Sequence, residues 1–362
     1  MRTFSLLLTT RYPETRDQLT PHMATSTRAD LKPPAPDQSA MSPEKFGRLP
    51  VLDGVRALAI VMVVLAHCFI AIPDLRPACI ILGDLGVSTF MVLSGYLITK
   101  VMLADEAKSG RLRLGRFYRR RALRIFPALY CFLAVALGLS FFHLIPREDG
   151  LTWTASVFYF RNYAGSGWDT GHLWSLALEE QFYLIWPMLF MLARRRRLHL
   201  IGLAVIALTL WRTVWIHQHG ADYALIDHVD LRMDTFLIGA AFAITRWDWI
   251  RFTPPLVFLG CILPCYSLVV PYEIRTAVAA FFIGALISWL LVIPSTAAVF
   301  LSTPVMVWLG KISYSIYLWQ QLFTGLHSRW WSPFAIAAFS IASFYFIERP
   351  ALQWKDKLEG TR

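Results

Sequence analysis

The chain has 362 residues, of which 56% are hydrophobic and only 16% charged, with a formal net charge of +11. A soluble domain usually carries charge on about a quarter of its residues, so this composition excludes an ordinary soluble enzyme. The basic residues sit in short loops between apolar runs, which is the distribution that sets membrane topology rather than one that binds nucleic acid. The five cysteines, Cys68, Cys79, Cys131, Cys261 and Cys265, are odd in number and match no zinc spacing. They read as small apolar side chains, and no metal is expected.

In chain order, residues 1–45 come first. "TSTRADLKPPAPDQSA" is polar and Pro-rich and cannot bury a core, and "FSLLL" is too short for the apolar region of a signal peptide. The segment is expected to be a disordered cytoplasmic tail, with Met41 as an alternative start. Apolar runs then fall at 52–72, 79–101, 124–145, 173–193, 198–216, 231–247, 253–271, 275–293, 305–325 and 331–349. Runs of this length cross a bilayer as helices, which need about 20 residues each. The expected fold is therefore an all-α polytopic membrane protein with about ten transmembrane helices. Its membrane domain spans 46–352 and a short cytoplasmic tail spans 353–362.

The loops orient it. "RLRLGRFYRRRALR", Arg194 to Arg197, and "RWDWIR" follow the second, fourth and sixth runs and are strongly basic. The loops between them are poor in Lys and Arg. This bias predicts that both termini are cytoplasmic.

Several runs carry polar residues that a simple anchor would not need. In "LDGVRALAIVMVVLAHC", Arg56 and His67 are eleven residues apart, so they share a helix face and lie roughly 16 Å apart along it. Arg56 can snorkel to the cytoplasmic edge, but His67 cannot. An ionisable residue at that depth is a candidate functional group, and histidine is suited to moving a proton near neutral pH. The plainer alternatives are a topology anchor for Arg56 and a packing hydrogen bond for His67. The fourth run, "GHLWSLALEEQFYLIWP", puts His172, Ser175 and Glu179 on one stripe, with Glu180 about 100° away. Its alternative reading is an ion pair of Glu179 with Arg232 or Arg161. Asp84, Arg232 and Asp234 are expected in the same outer layer. At the start of the third run, Arg116, Arg119, Arg120, Arg121 and Arg124 either mark a cytoplasmic loop or bind phosphate, which guanidinium groups grip in bidentate fashion.

These blocks resemble the acyltransferase 3 family of integral-membrane O-acyltransferases. "LDGVRALAIVMVVLAHC" is similar to its first-helix signature of Arg or Lys, ten residues, then His. "GVSTFMVLSGYLIT", "RRRALRIFPALY", "HLWSLALEEQFYLIWP", "LRMDTFLIGA", "WLGKISYSIYLWQQ" and "IERP" follow in family order. The resemblance covers about residues 48–352. It implies an enzyme that moves an acyl group, usually acetyl, from coenzyme A in the cytoplasm to a hydroxyl. The acceptor is typically a sugar of an envelope or exported glycan, free or lipid-linked. By the same resemblance His67 matches the catalytic histidine, Arg56 its partner and Glu179 the acidic residue of the fourth block. Arg119, Arg120 and Arg124 match positions associated with coenzyme A.

Coenzyme A phosphates are then expected among the arginines while the thioester reaches toward His67. His67 would deprotonate the acceptor directly or through a covalent relay, oriented by Glu179 or Asp84. His172, Ser175, Glu180, Arg232 and Asp234 complete the expected substrate-binding set. No cofactor is expected to be bound permanently, since acyl-CoA is a substrate. The expected partners are acyl-CoA, the sugar acceptor and membrane lipids, without nucleic acid, and homo-oligomerisation is left open. The expected location is the inner membrane of a bacterium. The competing reading is an exporter of a glycan or small metabolite using an intramembrane His/Glu relay, whose usual mark, an inverted repeat, is not evident.

Two departures from the family pattern stand out. The family often has His where this chain has Gln320. Glutamine cannot act as a base, which leaves that helix out of the expected chemistry. Some members add a C-terminal soluble esterase-like domain, and none is expected here. A second transfer step would then need another protein, unless the acceptor binds the bundle itself.

Overall fold

The computed structural model describes residues 49–110, 112–219, 229–245, 247–266, 270–325 and 328–358. The expected tail at 1–45 lies outside them. Every regular element among the described residues is helical. The chain order is α1 (Pro50–Phe69), α2 (Arg76–Ser109), α3 (Leu114–Phe141), α4 (Gly150–Val157), α5 (Leu173–Ala193), α6 (Arg197–His219) and α7 (Val229–Ile244). It continues with α8 (Pro255–Cys265), α9 (Tyr272–Val292), α10 (Thr296–Leu301), α11 (Pro304–Lys311), α12 (Ser313–Gln320), α13 (Ser332–Ser343) and α14 (Arg349–Leu358). The last helix runs through much of the segment read from sequence as a tail.

Among the described residues, six helical stretches are long and apolar enough to cross a membrane: 50–69, 73–109, 114–141, 173–219, 273–292 and 332–354. The stretch 173–219 holds two of the expected runs. They divide at Arg194, whose backbone at φ 30° and ψ −95° cannot continue a helix. The other runs give shorter described helices. The described part of helix α7 has 16 residues, about 24 Å. Helix α8 has 11 residues and carries Pro264 near its end. The run 305–325 breaks at Ile312 into α11 and α12.

The outer surface of the bundle is apolar. Leu184, Leu203, Leu210 and Leu263 stand 61–68% exposed on helices α5, α6 and α8, while Asp234 and Arg212 are fully buried. This inversion suits a chain whose solvent is lipid, and the chain is an integral membrane protein. Inside, α2 and α7 approach backbone to backbone. A Cβ on Gly95 would meet the Phe236 carbonyl oxygen at 2.0 Å, and one on Gly239 would meet that of Val92 at 2.1 Å. Without a hydrophobic force between helices in lipid, such small-residue contacts let dispersion hold them. The contact fixes the height of Asp84, Val87 and Ser94 on α2 against Arg232 on α7.

Candidate active site

Two cavities lie end to end along the bundle. The first is lined by Arg56, Ser94, Arg121, Arg124, Ser175 and Glu179 and by apolar groups such as Phe90 and Ile125. The second is lined by His67, Asp84, His172, Trp174, Arg232 and Tyr266. Val87 and Tyr317 line both, and so form the waist between them. The chain direction agrees on three helices. Helix α1 passes from Arg56 in the first chamber to His67 in the second. Helix α2, from Asp84 to Ser94, and α5, from its N-cap His172 to Glu179, pass the opposite way. The expected spacing of about 16 Å between Arg56 and His67 is thus the span from one chamber to the other.

In the first chamber the acidic stripe of α5 is tied to α3. Arg121 donates from Nη2 to Glu179 Oε1 at 2.7 Å and from Nε to Glu180 Oε1 at 3.2 Å. Its guanidinium lies 3.6 Å over the Tyr183 ring. Glu179 Oε1 also accepts from Ser94 at 2.8 Å and from the Tyr183 hydroxyl. Arg56 reaches Asp53 at 3.3 Å. Arg124, one turn beyond Arg121, lines the chamber and has no hydrogen bond or ion pair among the described residues. Of the three arginines expected to handle coenzyme A, Arg124 lines the first chamber, and Arg119 and Arg120 line neither. The alternative reading of Glu179 was an ion pair with Arg232 or Arg161, and the structure pairs it with Arg121.

At the waist the Tyr317 hydroxyl donates to the His172 carbonyl at 2.7 Å and hydrogen-bonds the Ser175 hydroxyl. These contacts join α12 to the start of α5 and hold the phenol across the passage. In the second chamber Arg232 Nη2 donates to Asp84 Oδ1 at 2.6 Å, and its guanidinium lies 5.6 Å from the Trp174 ring. Asp234, expected beside them, points away. It takes Arg212 Nη2 at 2.7 Å and Thr276 Oγ1 at 3.3 Å, fully buried. Arg212 also donates to backbone carbonyls of Leu231 and Glu273. This lock clamps α6, α7 and α9, and Asp234 sits in it and lines neither chamber.

His67 meets neither Glu179 nor Asp84, since both carboxylates are engaged by arginines. Its ring nitrogen Nδ1 lies 3.0 Å from Gln320 Oε1, on the helix expected to take no part. The Trp168 ring stands edge-on to it at 5.6 Å. Trp168 arrives on the loop between α4 and α5, which is tied by Arg161. The Arg161 guanidinium donates to the carbonyls of Ala164, Gly165, Ser166 and Gly167 and to the Thr170 hydroxyl at 2.9–3.3 Å. Glu148 accepts from both the Thr170 hydroxyl, at 2.7 Å, and its N–H, at 3.2 Å. Burial pushes the Glu148 carboxyl above its ordinary range, against the pull of those two donors. Burial also lowers Arg161. Gly325, at φ 65°, leaves room for the Trp168 indole where a Cβ would come within 2.3 Å of it.

The family model described as an acyltransferase domain, that of acyltransferase 3, matches residues 49–347. The chain belongs to the acyltransferase 3 family. Among curated proteins of known name, the peptidoglycan O-acetyltransferase OatA of Listeria monocytogenes serovar 1/2a is 31% identical over 356 residues. That match takes in 83% of this chain and 55% of the relative. The O-acetyltransferase OatA of Staphylococcus aureus strain NCTC 8325 is 29% identical over 312 residues, 75% of this chain and 50% of the relative. The chain therefore spans about half the length of the relatives it matches. No solved structure matches it. Among the described residues no group of His, Cys, Asp and Glu is arranged to hold a metal ion.

Sequence reasoning overlooked four groups of this site: Arg121 as the carboxylate partner, Tyr317 at the waist, and Gln320 and Trp168 beside His67. Arg121 carried a signal, because it lies on the same helical stripe as Arg124. Gln320 carried one only as a departure from the family pattern.

Proposed function

We propose that this chain is a membrane O-acyltransferase that passes an acyl group, acetyl in the first instance, from acyl-CoA in the first chamber to a sugar hydroxyl in the second. The observation that carries the reading is the pair of chambers meeting at one waist. One is walled by Arg56, Arg121 and Arg124, and the other by His67. Guanidinium groups suit the phosphates of coenzyme A, and Arg124 makes no hydrogen bond or ion pair with a described carboxylate. The pantetheine arm would run along α1 toward the waist. His67 would take the proton of the acceptor hydroxyl as its oxygen attacks the thioester carbonyl. The carbon–sulfur bond then breaks, and the imidazolium returns the proton to the coenzyme A thiolate. A covalent acyl relay would split this into two such steps.

The basic loops support the arginine end as the cytoplasmic one, with about ten spans and both termini inside. The bacterial relatives support the cytoplasmic membrane of a bacterium. Their names support an envelope glycan as acceptor, and one of them is named for peptidoglycan.

The test uses the full chain in nanodiscs with labelled acetyl-CoA and a panel of envelope glycans. Transfer should occur with the native chain. His67→Gln, which keeps hydrogen-bonding capacity but accepts no proton, should lose about 10²–10⁴-fold in turnover, with donor binding intact. Near-normal turnover of His67→Gln would remove His67 from the chemistry.

A further inference from the structure

His67 is held by a chain of side-chain amides whose direction can be read from one end. At that end is the backbone carbonyl of Trp168, which can only accept. Gln321 lies 2.9 Å from it, so its NH2 group must face Trp168 and its Oε1 must face the other way. That Oε1 is 3.0 Å from the Gln320 amide, so Gln320 must turn its own NH2 group toward Gln321. Gln320 Oε1 is then the atom left for His67 Nδ1 at 3.0 Å. The Thr324 hydroxyl, 3.3 Å away, donates into the same oxygen. An amide oxygen has no proton to offer, so the proton on that contact belongs to His67 Nδ1. His67 Nε2 makes no hydrogen bond with any described residue.

We propose that Gln320 and Gln321 form a positioning relay, anchored on the Trp168 carbonyl, that fixes His67 in the tautomer with its proton on Nδ1 and its lone pair on Nε2. Which imidazole nitrogen is free is set by the bond the other one makes, and a wrong tautomer costs a histidine base up to about 10⁴-fold. The relay is buried: Gln320 is 0% exposed and Gln321 3%. It is also braced. The Trp168 indole donates to the Gln321 carbonyl at 3.1 Å, so the anchor and the amide hold each other. A carboxylate partner for His67 would place a further charge in the bundle. The amide orients the ring without one. The residue at position 320 therefore needs one acceptor and one donor, not a base. Neutral histidine also supplies both, on its two nitrogens.

This inference rests on the reading of His67 as the base, but its main readout does not. The full chain, labelled with nitrogen-15 at histidine, is examined in nanodiscs by long-range proton–nitrogen spectra, and the His67 signals are assigned by their loss in His67→Gln. The native chain should show one neutral tautomer, protonated on Nδ1. Gln321→Leu, which frees the Gln320 amide to turn over, should show both tautomers and lower kcat by about tenfold or more, with KM for the donor unchanged. Gln320→Leu should do the same, and Gln320→His should restore a single tautomer and most of the turnover. Coenzyme A binding and thermal unfolding serve as folding controls. A native His67 protonated on Nε2, or an unaltered tautomer in Gln321→Leu, overturns the relay. The expected tautomer with full turnover in His67→Gln upholds the relay and overturns the base.

Discussion

Arg121 and Arg124 are one helical turn apart on α3, yet their removal should have opposite consequences. Arg121 bridges Glu179 and Glu180 with its side chain only 17% exposed. Arg121→Ala leaves two neighbouring carboxylates without their hydrogen-bonded cation inside the bundle. Breaking one partner out of a buried ion pair costs about 3–5 kcal/mol, enough to lower the unfolding temperature by several degrees or to prevent accumulation. Arg124 makes no hydrogen bond or ion pair with a described carboxylate, so Arg124→Ala should cost far less stability than Arg121→Ala. Its expected loss is in the donor. A hydrogen bond to a charged group is worth about 1.5–3 kcal/mol, which converts to roughly a 10- to 150-fold rise in Kd for coenzyme A. The assay pairs thermal unfolding in detergent with equilibrium binding of coenzyme A at two salt concentrations, since phosphate contacts weaken with screening. Unchanged coenzyme A affinity in a folded Arg124→Ala protein would refute the placement of the phosphates. Equal stability losses in the two variants would refute the division of roles.

The waist should act as a size filter. Tyr317→Ala joins the two chambers and is expected to raise thioester hydrolysis relative to transfer and to admit longer acyl donors, read as the ratio of free acid to acylated sugar. An unchanged ratio would mean that the acyl group takes another path. Asp234→Asn should destabilise the bundle by about 3–5 kcal/mol by stranding buried Arg212, whereas catalysis in the folded fraction should persist. A stable but inactive variant would return Asp234 to the site. The loop carrying Trp168 should loosen as pH rises. A carboxyl raised by burial contributes stability that is complete below the ordinary carboxylate range and is lost as pH climbs through its raised value. Limited proteolysis between residues 143 and 171 should therefore quicken from acidic to neutral pH, and Glu148→Gln should flatten that dependence. A flat native profile would count against a titrating Glu148.

The helical class and the membrane setting were legible in residue order alone, because both depend on local quantities. A run of apolar side chains and a rise of 1.5 Å per residue need no knowledge of neighbours. The same local geometry placed Arg56 and His67 on one face at a fixed separation, and that separation became the distance between two chambers. The stripe of His172, Ser175 and Glu179 held for the same reason. Partner choice was not legible. His67 and Gln320 are 253 positions apart, and a search for a base passed over a residue whose work is to accept a hydrogen bond. Glu179 had several arginines within sequence reach, and only the packing of α3 against α5 selected Arg121. Asp234 shares an element with Arg232 but turns to Arg212 across α6. A charged side chain in lipid must find a partner, and sequence states that need. Which partner it finds depends on how helices distant in sequence come together, and only the tertiary structure decides that.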